Sequence, residues 1–362
     1  MKIKRYFLFI VLLSILYGCK KDDNDSLKGY SDFWGISPKY WPIEIGNKWG
    51  YIDKKGKVKI EPQFDDVGWF CFNMAAYRNN NLLGYINDKG EIEIFAQYIE
   101  CGQFTREGLA KVRNQKNDYG YIDKKGIVKI GFQFEYALSF HDDMAIIKNN
   151  NLFGAINKEG EIVIKPIYED MYYYSEGLAR VSLINEKSGF IDKDGKIVIQ
   201  AIYDDAGYFS NEMAWIRIEE NYGYIDKTGK IVISPTYSNA KAFWEEKAAV
   251  KISDKWGYID KNGKLAIPLV FDEAYYFSDG VACVKQNDYY GFIDHNGDYI
   301  IQPQFKNTDE FYNGIAWVMF QDNSWGYIDK EGKIIWKYSS ELKEKSMYKN
   351  SENRSERMLL NN

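Results

Sequence analysis

Apolar and polar residues alternate in a short segment that recurs along most of the chain. After the turn Asp53-Lys54-Lys55-Gly56, the apolar Val58 and Ile60 alternate with Lys57 and Lys59. A period of two places one set of side chains on each face of a strand, so this segment is predicted to be a half-buried β-strand. In later copies Val163, Val198 and Ile300 fill the polar slots. We expect the second face of those strands to be partly covered.

A glycine-centred hairpin precedes each of these strands. Two residues after the glycine stands an Ile, then Asp or Asn, and three residues further a second glycine, as in Gly50, Ile52, Asp53 and Gly56. Asp or Asn bonds the turn backbone and glycine tolerates a positive φ, so the segment reads as a β-hairpin. The first glycine recurs every 34 to 36 residues, at Gly50, Gly84, Gly120, Gly154, Gly189, Gly223, Gly257, Gly291 and Gly326. Nine copies at a nearly fixed period predict a tandem array.

A third predicted strand lies before each hairpin glycine, as in Ala248–Ile252 ahead of Gly257. The unit is therefore a three-stranded β-meander, followed by a connector with two regularly placed aromatic residues such as Phe64 and Phe70. These aromatic rings are expected to pack between neighbouring units.

The fold class predicted is all-β, a tandem array of about nine three-stranded meanders. Two geometries are compatible with this pattern. An open superhelical, solenoid-like array is favoured because the first and last units are whole and because three strands fall short of a four-stranded propeller blade. A closed propeller-like ring is the alternative.

The segment Lys48-Trp49-Gly50-Tyr51-Ile52-Asp53-Lys54 resembles the WG (or KWG) β-repeat of bacterial proteins. The resemblance covers roughly Ile43 to Trp336, and the Trp slot varies, with Ser188 as its weakest copy. It implies a β-repeat architecture and an interaction role. It implies no catalytic residues.

The N-terminus resembles a bacterial lipoprotein signal. A basic start, an apolar run and Leu16-Tyr17-Gly18-Cys19 predict a signal peptide over residues 1–18 and acylation of Cys19, with an ordinary N-terminal helix as the alternative. Residues 19–29 are predicted to be a flexible tether, 30–41 an N-terminal cap, 42–336 the repeat array and 337–362 a polar tail. The protein is therefore expected to be lipid-anchored in the bacterial envelope, at the outer membrane, on its periplasmic or outer surface.

The net charge and the candidate reactive residues disfavour several classes of function. The formal net charge of −5 becomes −8 without the leader's Lys2, Lys4 and Arg5, which disfavours nucleic acid as a partner. The cysteines beyond Cys19 form no CxxC pair, and a Cys71–Cys101 bridge or single buried thiols are both possible, the latter favoured. The repeated turn Asp has a structural explanation, while His141, His295 and the connector acids form no catalytic or metal-binding constellation. We expect no cofactor, no metal and no enzymatic activity.

Aromatic residues beyond those that the repeat needs are the clearest functional signal. Half of the connectors carry an extra one just before the second regular aromatic, and these are Trp69, Tyr173, Tyr208 and Tyr276. Aromatic faces bind sugar rings or peptide segments, although packing within the array would also explain them. The function predicted is a non-catalytic, lipid-anchored envelope protein whose repeats form an extended macromolecule-binding surface, with another envelope protein or a glycan as its partner. The alternative is a glycan-binding surface lipoprotein that accompanies polysaccharide capture.

Overall fold

The computed structural model describes residues 38–182 and 187–338, and every regular element in these ranges is a β-strand. The 35 strands form nine antiparallel sheets, each built from strands that follow one another along the chain. The predictions of an all-β fold and of about nine repeated units are confirmed.

Within each sheet, or blade, the strands are named inner, second, third and outer in chain order. The inner strands are β4 (Asp66–Val67), β8 (Glu100–Phe104), β12 (Tyr136–Ala137), β16 (Asp170–Ser175), β20 (Asp205–Ala206), β24 (Asn239–Ala240), β28 (Glu273–Ser278) and β32 (Asn307–Thr308). The second strands are β1 (Trp41–Ile45), β5 (Met74–Asn79), β9 (Leu109–Arg113), β13 (Met144–Asn149), β17 (Leu178–Ser182), β21 (Met213–Ile218), β25 (Ala248–Ile252), β29 (Val281–Gln286) and β33 (Ile315–Met319).

The third and outer strands form the predicted hairpins. The third strands are β2 (Lys48–Ile52), β6 (Leu82–Asn87), β10 (Tyr119–Asp123), β14 (Leu152–Asn157), β18 (Ser188–Ile191), β22 (Asn221–Asp226), β26 (Lys255–Ile259), β30 (Tyr289–Ile293) and β34 (Trp325–Asp329). The outer strands are β3 (Val58–Phe64), β7 (Ile92–Tyr98), β11 (Val128–Phe134), β15 (Ile162–Tyr168), β19 (Ile197–Tyr203), β23 (Ile231–Tyr237), β27 (Leu265–Phe271), β31 (Tyr299–Phe305) and β35 (Ile334–Lys337).

The connector supplies a fourth strand that the sequence pattern did not reveal. In blade 2, for example, Asp66 and Val67 pair with Arg78 and Tyr77 of the second strand. Several of these inner strands are only two residues long, too short for an alternating pattern to show. Blades 2 to 9 are four-stranded, and in the described residues blade 1 has three strands. The objection that three strands fall short of a propeller blade was therefore wrong.

The turn aspartate has the role that the sequence predicted, and the first hairpin glycine has a role that it did not. Trp49 pairs with Phe64 but Tyr51 pairs with Ile60, so the bulged outer strand crosses directly over Gly50. A Cβ at Gly50 would lie 2.4 Å from the Ile60 carbonyl oxygen, which no other residue type could accommodate. Asp53 Oδ1 accepts hydrogen bonds from the Lys55 and Lys57 backbone N–H groups at 2.9 and 3.0 Å, which closes the turn.

The core is serial, as an array requires, because each buried cluster joins two neighbouring blades. A repeated hydrogen bond reinforces these clusters: the Tyr that follows the hairpin glycine donates to a backbone carbonyl of the next blade. The pairs are Tyr51 to Gly68, Tyr85 to Gly102, Tyr121 to Leu138, Tyr224 to Lys241 and Tyr258 to Tyr275, at 2.6 to 2.8 Å. We call these bonds the inter-blade tyrosine bonds.

The first and last blades meet through the contacts that join consecutive blades elsewhere. Tyr327 of blade 9 donates to the Pro42 carbonyl of blade 1 at 2.8 Å. The hairpin Gly56 lies against Ile335 of blade 9, just as Gly90 lies against Ile60 of the preceding blade. Trp41, Ile43 and Ile52 share one buried cluster with Ile315 and Tyr327.

The array is therefore closed, and the molecule is a nine-bladed β-propeller. This is the alternative geometry of the sequence analysis, and the preferred open array was wrong. That preference assumed that a propeller closes by sharing one blade between the two termini. Here no described blade is split: side chains of blades 1 and 9 close the ring.

Several predictions concern residues outside this description. The signal peptide, the Cys19 acylation site, the tether, most of the proposed cap and the C-terminal tail beyond Tyr338 lie outside the described residues. No helix in the described part of the chain is long and apolar enough to cross a membrane.

Candidate functional site

A two-residue bulge interrupts the inner strand at one recurrent position. In blade 5, Met171 pairs with Val181 and Tyr174 with Ala179, which leaves Tyr172 and Tyr173 opposite one residue. In blade 8 the same irregularity leaves Tyr275 and Tyr276 opposite Cys283. Bulges re-aim side chains and are common beside functional sites.

All four aromatic residues singled out in the sequence occupy this bulge position. Tyr173 and Tyr276 are the second bulge residues of blades 5 and 8. Trp69 and Tyr208 follow Gly68 and Gly207, whose N–H groups bond the second strands of blades 2 and 6. The shared position explains why these residues recur at one place in the repeat.

Two of the four, Tyr208 and Tyr276, meet near the axis of the propeller, and Tyr173 holds the same position in blade 5. The Tyr208 hydroxyl bonds the Tyr276 hydroxyl, and the Trp244 ring centroid lies 6.4 Å from that of Tyr208 and 6.3 Å from that of Tyr276. Tyr208 belongs to blade 6 and Tyr276 to blade 8, so a direct bond between them must span the inner side of blade 7. Tyr172 lies close enough to influence both electrostatically, and its aromatic ring centroid is 5.8 Å from that of Tyr173.

We call Tyr172, Tyr173, Tyr208, Trp244 and Tyr276 the axial aromatic cluster. Trp69, the fourth residue of the sequence set, is not part of it. Trp69 packs instead against the buried cluster that closes the ring of blades.

Charged groups border the axial aromatic cluster. The Lys241 ammonium lies 3.9 Å from the centroid of the Tyr275 ring and 5.6 Å from that of Tyr276. Burial lowers the pKa of Lys241, opposed by the nearby charge of Glu310. Burial also raises the pKa of Asp309 to about 7, with a further contribution from Glu310. The site thus combines aromatic faces, an ammonium and carboxyl groups.

Sequence reasoning missed Lys241, Asp309 and Glu310, although the period contained the signal. Lys241, Tyr275 and Asp309 follow one another at 34 residues, as do Tyr276 and Glu310. Charged residues stand here at the bulge positions that carry tyrosines in other blades. The charged residues were overlooked because only the copies with an aromatic residue at these positions stood out.

The two histidines have structural partners. His141 Nδ1 lies 2.7 Å from the Tyr174 carbonyl of the next blade. Ser175, Ser210 and Ser278 make the corresponding inter-blade bond in other blades. His295 Nε2 lies 3.1 Å from Glu245.

The connector acids and cysteines also fit into the fold. Asp65 accepts from Lys48 at 2.6 Å and from the Asn80 N–H at 3.1 Å, and Asp272 repeats this arrangement in blade 8. Cys71, Cys101 and Cys283 are buried free thiols, so the Cys71–Cys101 bridge does not form. Within residues 38–182 and 187–338, no group of His, Cys, Asp or Glu is arranged to hold a metal ion.

The outer strands of blades 4 to 7 expose an unusual number of aliphatic side chains. We call this set the outer aliphatic row; it comprises Ile162, Val163, Ile167, Ile197, Val198, Ile202, Ile231, Val232, Leu265 and Val270. Val163 and Val198 are 38% and 40% exposed, so the second face of these strands is not covered by the described chain, contrary to the sequence expectation. At the slots of Val163 and Ile167, blades 1 and 3 hold Lys or Gln, as at Lys59, Gln63, Lys129 and Gln133. The slot of Ile162 is aliphatic and exposed in blades 2 and 3 as well, at Ile92 and Val128.

The repeat matches a known family model. The model described as a WG containing repeat matches residues 49–82, 84–117, 119–153, 153–187, 189–222, 222–256, 256–290 and 290–323. The chain belongs to the WG-repeat family. These matches bear out the resemblance of the Trp-Gly hairpin, and the structure shows that each WG repeat spans the hairpin of one blade and the inner and second strands of the next.

Three solved structures resemble this chain, and the first of them, with a TM-score above 0.5, supports the fold alone. A crystal structure of the eukaryotic initiation factor is 10% identical, with a TM-score of 0.63, covering 84% of this chain and 96% of that one. The computationally designed Ika8 protein is 9% identical, with a TM-score of 0.44 and coverage of 72% and 94%. BamB from Moraxella catarrhalis is 11% identical, with a TM-score of 0.42 and coverage of 69% and 87%. No curated protein sequence matches the chain.

Proposed function

We propose that this WG-repeat propeller is a non-catalytic, lipid-anchored binding protein of the bacterial envelope, and that its outer side binds another envelope protein. The observation that carries the proposal is the outer aliphatic row. Soluble monomers rarely expose large sets of neighbouring apolar side chains unless these side chains meet a partner. The row extends over four successive blades, which suits an extended contact.

Two slots of the row, those of Val163 and Ile167, are aliphatic in only part of the ring, which supports a specific contact. Every outer strand but the last buries an Ile at one slot, whereas the slot of Ile167 carries Gln or Thr in several blades. At the slot of Ile167 in blade 4, blade 3 has the exposed Gln133. Because the two blades have the same backbone, the aliphatic choice is not a requirement of the fold.

A pull-down from envelope extract tests the protein-binding proposal. Residues 28–340 serve as bait, and Ile167→Lys is compared with Gln133→Lys, which places the same charge at the equivalent slot of blade 3. We expect Ile167→Lys to lose a specific envelope protein that the Gln133→Lys bait retains. Equal retention by both variants would contradict the role of the row.

The anchor rests on the sequence Leu16-Tyr17-Gly18-Cys19. An acylated Cys19 would hold the propeller at a membrane, since several acyl chains together give stable attachment. Labelling with radioactive palmitate and membrane fractionation test it. Cys19→Ser should abolish labelling and release the protein, whereas Cys283→Ser, a buried thiol, should change neither. Unchanged labelling of Cys19→Ser would disprove the anchor.

A second candidate function is glycan capture, favoured by the axial aromatic cluster. Tyr faces stack on sugar rings, and the neighbouring Lys241 and Glu310 offer a donor and an acceptor for sugar hydroxyls. The combined Tyr173→Ala, Tyr208→Ala and Tyr276→Ala variant should lose retention of envelope glycan while keeping the β-sheet circular dichroism of the wild type. Unchanged retention would dismiss this candidate.

A further inference from the structure

The outer strand of blade 5, β19, shares the bulge of the other outer strands but lacks their charged residues and prolines. Its sequence is Ile-Val-Ile-Gln-Ala-Ile-Tyr, without a charged residue or a proline. Each of the other eight outer strands contains at least one, as shown by Lys59, Glu93, Lys129, Lys165, Pro235, Pro268, Pro303 and Lys337. Charges and prolines at edges prevent pairing with other chains.

The outer side of β19 is open in the described residues. β19 pairs with β18 on one side, and no described strand pairs with the other. Ile197, Val198 and Ile202 are 45%, 40% and 62% exposed. An edge strand with unpaired N–H and C=O groups and apolar side chains is a template for strand addition.

We infer that β19 pairs antiparallel with β19 of a second copy of this chain. This inference rests on the proposed function, because it takes the outer aliphatic row as a protein-binding surface and names its partner. A two-fold contact uses the same surface on both molecules, so the surface must be complementary to itself. β19 meets that condition when the two-fold axis passes through Gln200.

The register of this pairing matches both apolar groups and charges. Around Gln200, Val198 of each copy lies opposite Ile202 of the other, an aliphatic cross-strand pair. Lys196, just before the strand, lies opposite Asp204, just after it. Parallel pairing in register would instead place Lys196 beside Lys196, which like charges disfavour.

The surroundings of β19 extend the same contact. Asp204 already accepts bonds from Lys187 and from the Glu219 N–H, yet its side chain stays 29% exposed and can meet a further cation. On the flanking blades, Ile167 and Val232 are exposed on their outer strands. A second propeller seated on β19 would therefore cover the central part of the outer aliphatic row.

Disulfide trapping of the full-length protein in its membrane tests the inference. Residues that face each other across a two-fold axis in an antiparallel pair have Cα atoms within disulfide range. Gln200→Cys should therefore form a covalent dimer under mild oxidation, seen as a band of doubled mass on a non-reducing gel. Gln302→Cys, the exposed equivalent in blade 8, is the matched control and should stay monomeric.

A second substitution distinguishes specific pairing of β19 from cross-linking by chance collision. Adding Ile202→Lys to Gln200→Cys should reduce the dimer band at least tenfold, whereas adding Gln304→Lys, at the equivalent slot of blade 8, should leave it unchanged. Equal dimer from Gln200→Cys and Gln302→Cys would overturn the inference, as would a band insensitive to Ile202→Lys.

The outcome separates this inference from the proposed function. If Gln200→Cys fails to cross-link while Ile167→Lys still loses an envelope partner, the proposed function stands and the second copy is ruled out. If Gln200→Cys cross-links and no other protein depends on Ile167, the row binds a second copy and the different envelope partner is ruled out.

Discussion

Each unit needs two glycines for different physical reasons. The recurrence of both could be read from the sequence, but only the turn role of the second was predicted. The first, such as Gly50, has no room for a Cβ beneath the bulged outer strand. The second, such as Gly195, has a φ of +82° in the hairpin turn. Recurrence at a fixed spacing signalled both. The bulge itself was not predictable, since it depends on how two strands pair.

Gly195→Val should destabilise the protein. A β-branched residue at positive φ is strained, and the new Cβ would lie 2.8 Å from Ile164 Cδ1 of the preceding blade. We expect a loss of about 1 kcal/mol or more in the free energy of unfolding, measured by denaturant titration. Asp194→Val, at an exposed neighbouring position, should have a smaller effect, and a neutral Gly195→Val would contradict the hairpin geometry.

Asp309→Asn should remove a pH dependence of stability. The folded-state pKa of Asp309 is raised to about 7 from 3.8, mainly by burial, so the native state holds an extra proton between these values. The contribution of Asp309 to stability is therefore present below pH 4 and is lost as the pH rises to 7.

Thermal unfolding at pH 5 and pH 8 measures this effect. Between these values, the wild type should lose on the order of 1–2 kcal/mol relative to Asp309→Asn, less than the full pKa shift implies because the side chain is partly exposed. Parallel pH profiles for the two proteins would show that Asp309 does not titrate in this window.

At the scale of the strand, the strands that could be predicted were those long enough to show a regular sequence pattern. The second, third and outer strands are five to seven residues long in most blades, and their alternation or glycine spacing revealed them. The inner strands are as short as two residues, so four-stranded blades were missed. Tyr173, Tyr208 and Tyr276 could be named as aromatic residues in excess, but the meeting of Tyr208 and Tyr276 near the axis depends on bulges and on closure.

Tyr258→Phe tests the inter-blade tyrosine bonds. The Tyr258 hydroxyl donates to the Tyr275 carbonyl of the next blade at 2.8 Å, and the variant would leave that carbonyl without this donor. We expect a loss of about 1 kcal/mol in the free energy of unfolding. Phe stands naturally at this slot as Phe190 and Phe292, so the ring itself fits, and an unchanged stability would show that the bond contributes nothing.

At the scale of the whole molecule, the sequence predicted the number of units but not their closure. The contacts that close the ring join residues nearly 300 positions apart, such as Pro42 and Tyr327. No local pattern reports such a contact. The sequence does contain one signal of closure. Tyr327 stands at the position where a tyrosine elsewhere bonds the following blade, and after the last unit only blade 1 can accept that bond.

The stability of Tyr327→Phe tests the closed ring most directly. Tyr327 donates to the Pro42 carbonyl at 2.8 Å, the same distance as Tyr258 to Tyr275 within the array. A closed propeller predicts that Tyr327→Phe and Tyr258→Phe lower the free energy of unfolding by similar amounts, about 1 kcal/mol each. If Tyr258→Phe is destabilising and Tyr327→Phe is neutral, blades 1 and 9 do not meet, and the array is open.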